Sequence, residues 1–178
     1  MRHLPCLKPA GEPGTDAYDT TNWVGLFGAE VAASAALTGL VFVAVSINLK
    51  SILAYPWLPR RVLKALCMLC LVLFVSTFGL VPGQSVQVQG LEALGLGVIG
   101  VIWVVVTDVG IWRMMPVEFR RRRGLLSLGL AATLCTTIAG VSLLAQTGGG
   151  LYWLVPAMVL ALVAALTDAW VLLIEIVR

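Results

Sequence analysis

Long apolar runs alternate with short polar breaks along this chain. Five runs approach or exceed twenty residues, at about 23–47, 62–81, 91–112, 125–144 and 151–177. A helix needs about 20 apolar residues to cross a hydrocarbon core about 30 Å thick. Breakers separate the runs: Pro56 and Pro59, Pro82-Gly83, Pro116, and Gly148-Gly149-Gly150. The runs do not alternate apolar with polar positions, which excludes the strands of a membrane barrel. Helices satisfy their own backbone polar groups in lipid, so each run predicts a helix. The expectation is an all-α integral membrane protein with five transmembrane helices over residues 22–178. Residues 1–21, with Pro5, Pro9, Gly11, Pro13 and Gly14, lack the apolar core of a cleavable signal and read as an extracytoplasmic flexible arm.

Composition agrees with that reading. The chain is 60% hydrophobic and only 12% charged, against about a quarter charged for a soluble domain. The net charge of +3 sits in short loops, not on a folded basic face, so nucleic acid is not an expected partner. The first loop holds Lys50, Arg60, Arg61 and Lys64. The third holds Arg113 and Arg120, Arg121, Arg122 and Arg123, while the second and fourth hold no Lys or Arg. The positive-inside rule makes loops one and three cytoplasmic, giving an N-out, C-in topology. The four consecutive arginines read as a topology signal that also attracts anionic lipids.

An offset of 60 residues lays the second hairpin on the first without a gap. Ten identities fall in positions 60–112, among them Arg60 with Arg120, Thr77 with Thr137, Gly90 with Gly150, and Thr107-Asp108 with Thr167-Asp168. Acids are rare within membrane helices, so the Thr-Asp match carries most of the signal. The pattern suggests one leading helix followed by two similar hairpins in parallel orientation.

Intramembrane polar residues are the candidate sites: Glu30, Asp108, Asp168, Thr107 and Thr167. Each aspartate lies 17 residues into its run, about 25 Å down, near the inner edge of the core. Two readings stand for the aspartates. They bind a cation or proton at the mouth of a pathway, or they pair with loop cations such as Arg113 or the Arg120 to Arg123 run. Glu30 lies about 12 Å in, with no basic residue at its depth. It is either a proton or cation site facing a crevice, or a neutral packing residue bonded to a hydroxyl such as Thr77, Thr136, Thr137 or Ser142. The first run also carries Gly25, Gly28, Ala32, Ala35, Ala36 and Gly39, spaced for close helix packing.

Several tempting motifs lack their context. Gly95-Leu-Gly97-Val-Ile-Gly100 spells a dinucleotide fingerprint inside a membrane helix, with no strand before it. Cys67-Met-Leu-Cys70 spells a redox motif on the half of its helix assigned to the reducing side. Cys6 and Cys135 do not extend it to a metal site, and His3 is the sole histidine. No hydrolytic triad, HExxH or phosphate loop occurs, so neither an enzyme nor a cofactor is expected.

The stretch Ala35-Ala-Leu-Thr-Gly-Leu-Val-Phe-Val-Ala-Val-Ser-Ile-Asn-Leu49, with Ile52-Leu53, Leu58-Pro59-Arg60 and Leu80-Val-Pro-Gly-Gln84, resembles a family of small bacterial multipass membrane proteins frequent in actinobacteria. Some of these carry an automatic label as modulators of a membrane-bound AAA protease. The resemblance covers residues 22–84, implies a bacterial cytoplasmic membrane, and transfers no catalytic residue. The functional expectation is a non-enzymatic membrane protein, an oligomeric channel or transport component. The alternative is an accessory subunit that binds another membrane protein. A third reading is a thiol-redox protein using Cys67 and Cys70. The expected partners are the lipid bilayer and either further copies of the chain or a membrane-protein complex.

Overall fold

The computed structural model describes residues 17–114 and 127–177, with Ser51 and 171–177 as backbone only. Among the described residues there is no strand, and five helices are long and apolar enough to cross a membrane. They are α1 (Val24–Ile47), α2 (Leu58–Gly79), α3 (Val86–Met114), α4 (Leu128–Ala145) and α5 (Leu154–Val177). Short 3-10 turns, Thr20–Trp23 and Gly150–Trp153, lead into α1 and α5, and a short helix, Leu49–Leu53, joins α1 to α2.

Local chemistry moves some boundaries from those expected. α2 starts a turn earlier, at Leu58, because Pro59 falls in the first turn, where its missing N–H costs nothing. Arg61 and Lys64, read from sequence as loop charges, are therefore helical and buried. α3 starts at Val86 because Ser85 caps it, its carbonyl accepting from the Gln89 amide at 3.1 Å and its hydroxyl from the Val88 amide at 3.4 Å. Ser127 caps α4 by accepting from the Leu130 amide at 3.1 Å. α4 ends where Gln146 takes a left-handed conformation with φ of 50°.

Helices α2 to α5 close a ring in chain order, α2 on α3, α3 on α4, α4 on α5 and α5 back on α2. α1 packs outside the ring, almost wholly against α2. Phe27, Val72, Val75, Ala139, Leu143, Leu151 and Met158 form one core cluster, and Val41, Ala65, Met68, Val104 and Ala164 form another. Many large apolar side chains point outward instead, among them Phe42, Phe74, Ile99, Ile102, Val106 and Trp170. Burying such groups in water-free surroundings is what a bilayer provides.

The most extensive seam, α3 on α4, is built on glycines. A methyl group at Gly97 would sit 2.7 Å from the Thr137 amide nitrogen, and one at Gly100 2.8 Å from the Thr133 methyl. At Gly140 it would overlap the Leu94 backbone. The fingerprint-like glycine string thus serves helix packing through Gly97 and Gly100, while Gly95 faces open space.

The described end of the N-terminal arm, residues 17–21, is anchored through Ala17. Ala17 is buried, and its carbonyl accepts from the Leu151 amide at 2.9 Å. Trp23 meets Tyr152 edge-on with centroids 4.9 Å apart. The start of α1 is thereby tied to the turn before α5.

Candidate functional site

The two intramembrane aspartates lie at the same end of the bundle as the start of α2. Arg61 Nη2 donates to Asp168 Oδ1 at 3.2 Å, and Lys64 Nζ donates to Asp108 Oδ1 at 2.5 Å. Arg61 and Lys64 stand three residues apart on one face of α2, so a single helix clamps α3 and α5. The Arg61 and Asp168 side chains keep only 6% and 12% of their exposure, whereas Asp108 keeps 31%. The clamp is therefore dry on the α5 side and wetter on the α3 side. Each carboxylate is held by a cation of α2. These two partners, Arg61 and Lys64, differ from those read from sequence; Arg113 lies in the last turn of α3, and a pairing with Arg120, Arg121, Arg122 or Arg123 falls outside the described residues.

The clamp does not follow the 60-residue repeat. Asp108 is held from within its own hairpin, Asp168 from the other hairpin. The Thr-Asp dipeptides are also turned differently. Thr107 is buried beside a half-buried Asp108, while Thr167 is exposed beside a buried Asp168 and donates to the Ala164 carbonyl at 2.8 Å.

Glu30 lies far from the clamp. It is half-buried on α1, and among the described residues its Oε2 is buried without a hydrogen-bond partner. None of the hydroxyls expected to bind it does so. Thr77, Thr136 and Thr137 donate to the carbonyls of Leu73, Ala132 and Thr133 in their own helices, and Ser142 donates to Thr147. Ser76, a residue the sequence did not single out, is fully buried on α2, and its hydroxyl is likewise unpartnered. Sequence reading also passed over Glu92, whose Oε2 accepts from Gln84 Nε2 at 2.6 Å at the start of α3. Its signal was an acid eight residues after an amide, across the Ser85 cap.

The small residues of α1 do not pack inside the molecule. Gly25, Gly28, Ala32, Ala35, Ala36 and Gly39 are all exposed, on the side opposite the buried Phe27, Ser34 and Val41. A methyl group at Gly25, Gly28 or Gly39 would meet nothing within 4 Å among the described residues.

Between α2, α4 and α5, a small half-open pocket lined by Leu71, Val72, Val75, Thr136, Ala157, Met158 and Ala161 has a volume of about 10 Å³. That is room for one water at most, and its single polar wall, Thr136, already spends its proton on Ala132. Cys67, Cys70 and Cys135 are free thiols. Among the described residues no three His, Cys, Asp or Glu side chains gather as a metal site.

The chain matches no family model, no curated protein and no solved structure.

Proposed function

We infer that this multi-pass membrane protein is a non-enzymatic assembly module, which associates with a second copy of itself through the outward face of α1. The observation that carries this reading is the Gly25, Gly28, Ala32, Ala35, Gly39 row, spaced alternately three and four residues apart and left exposed by the fold. Small residues at that spacing let two helix backbones approach closely in lipid, where close packing drives association. Copies inserted in one orientation present the row in parallel, and the row has no charge that would demand a different partner. A two-fold axis along the membrane normal then makes it self-complementary. The resemblance of residues 22–84 supports a bacterial cytoplasmic membrane as the setting, with the basic loops inside.

Cysteines placed at Gly28 or Ala32 in the full chain test this in native membranes. Disulfide-linked homodimers are expected at both positions, and Gly28→Leu with Gly39→Leu should abolish linking through Ala32→Cys. A monomer with no crosslink at either position removes the reading. A crosslink to a different protein instead favours the accessory-subunit alternative.

A further inference from the structure

We propose that Glu30 and Ser76 form an intramembrane proton-binding site on the seam between α1 and α2, in which the Glu30 carboxyl carries a proton and shares it with the Ser76 hydroxyl, directly or through one water. This goes beyond self-association and does not depend on it.

The helix register places the two groups together. Phe27 lies against Gly79, since a methyl group there would come within 2.7 Å of the Phe27 ring. Further along the same seam Val41 clusters with Ala65, and Val45 packs against the cluster containing Val62. The helices run antiparallel, so each step along α1 is matched by a step back along α2. Glu30, three residues after Phe27, therefore stands level with Ser76, three residues before Gly79. Ser76 sits one turn from both Val72 and Gly79. Both groups have a buried oxygen without a partner among the described residues.

Unpartnered buried oxygens are costly, and two at one level of one seam point to something that joins them. The ligand must be small and positive. No described basic side chain reaches that level. Arg61 and Lys64 lie 15 and 12 residues from Ser76, about 22 and 18 Å along α2, and are engaged with Asp168 and Asp108. The other titratable groups on elements packed against α1 are also removed from it. Asp19 caps the turn before α1, Lys50 follows its far end, and Tyr152 lies against Trp23. Cys70, six residues from Ser76, is about 9 Å along the helix, and Cys67 is farther. A metal cation needs six or more oxygens if it is calcium-like, and near-octahedral ligands if it is magnesium-like. The seam offers one carboxyl and the hydroxyls of Ser76 and Ser34, the latter donating to the Glu30 carbonyl at 2.6 Å. A proton needs only one acceptor beyond the carboxyl. Taking it up converts carboxylate to carboxylic acid, with water as the source.

Infrared difference spectroscopy of the full chain in lipid vesicles, wild type minus Glu30→Gln, isolates this carboxyl. The expected result is the C=O stretch of a protonated acid at neutral pH, insensitive to added sodium. In Ser76→Ala the same band should move to higher frequency, because the acid loses a hydrogen bond. A carboxylate band at neutral pH overturns the proton site, as does an acid band converted to carboxylate by sodium. An acid band that Ser76→Ala leaves in place overturns the pairing. Both variants are close in size to the native residues, and helical content by circular dichroism checks that they fold.

Discussion

Arg61 and Asp168, 107 residues apart in the chain, meet at 3.2 Å with both side chains nearly sealed from solvent. Removing one member of a buried ion pair costs about 3–5 kcal/mol. Asp168→Ala or Arg61→Met should each lower stability in mild detergent by that order. The double variant Arg61→Met with Asp168→Leu should recover most of the loss, since apolar replacements of buried pairs are often neutral. Unfolding titrations arranged as a double-mutant cycle measure the coupling. Additive losses would contradict the clamp.

Lys64 and Asp108 form the wetter arm of the same clamp, with Asp108 keeping 31% of its exposure. Water can solvate the carboxylate once its partner is gone. Lys64→Met should therefore cost clearly less than Arg61→Met, on the order of 1 kcal/mol. The same titration reads both, and an equal or larger loss at Lys64 would reverse the assignment of dry and wet arms.

Glycines on the α3–α4 seam and on the outward face of α1 should respond in opposite ways. A methyl group at Gly140 overlaps the Leu94 backbone, so Gly140→Ala forces α3 and α4 apart. Overpacking of this kind costs about 1–3 kcal/mol. Among the described residues a methyl group at Gly39 meets nothing within 4 Å, so Gly39→Ala should leave the monomer fold unharmed. Thermal unfolding in detergent separates the two, and a loss at Gly39 matching that at Gly140 would mean that α1 is packed from both sides.

The spans were legible because lipid imposes a simple rule, about 20 apolar residues between breakers. The polar contacts were not, because they depend on tertiary register. Arg61 and Lys64 looked like loop charges, since nothing local shows that Pro59 opens a helix rather than ending a loop. Glu30 was visible as an acid in an apolar run, but its neighbour Ser76 appears only when Phe27 is set against Gly79. Small residues were read on α1 as packing positions, yet Gly97, Gly100 and Gly140 of α3 and α4 are the ones that pack closely against a neighbouring helix. Spacing alone cannot tell an internal seam from an outward face. The Thr107-Asp108 and Thr167-Asp168 match failed to predict matching environments for the same reason.

Loop charge predicts which side each turn faces. In a background with Cys6, Cys67, Cys70 and Cys135 changed to Ser, Thr147→Cys should react with an impermeant thiol reagent added outside intact cells. Tyr55→Cys should react only after the membrane is opened. The reverse pattern would overturn the N-out, C-in topology drawn from Lys50, Arg60, Arg113 and Arg120 to Arg123.

Ser142 holds the turn that ties α1 to α5. Its hydroxyl accepts from the Gly150 amide at 2.8 Å and donates to the Thr147 carbonyl. Gly148, Gly149 and Gly150 all take positive φ, 84°, 103° and 47°, so the turn depends on glycine geometry and on this one side chain. Gly150 in turn lies against Ala17 and Tyr18, and the Tyr18 hydroxyl accepts from the Gly149 amide at 3.4 Å. Ser142→Ala leaves a buried amide unpaired, at about 1–3 kcal/mol. The damage should spread to the start of α1, because that end is fastened through Ala17 to Leu151. Hydrogen exchange in detergent should show faster exchange at Leu151 and Gly150 in Ser142→Ala, while amides in the middle of α3 stay protected. Unchanged exchange at Leu151 would mean that the glycine turn holds the N-terminal segment without Ser142.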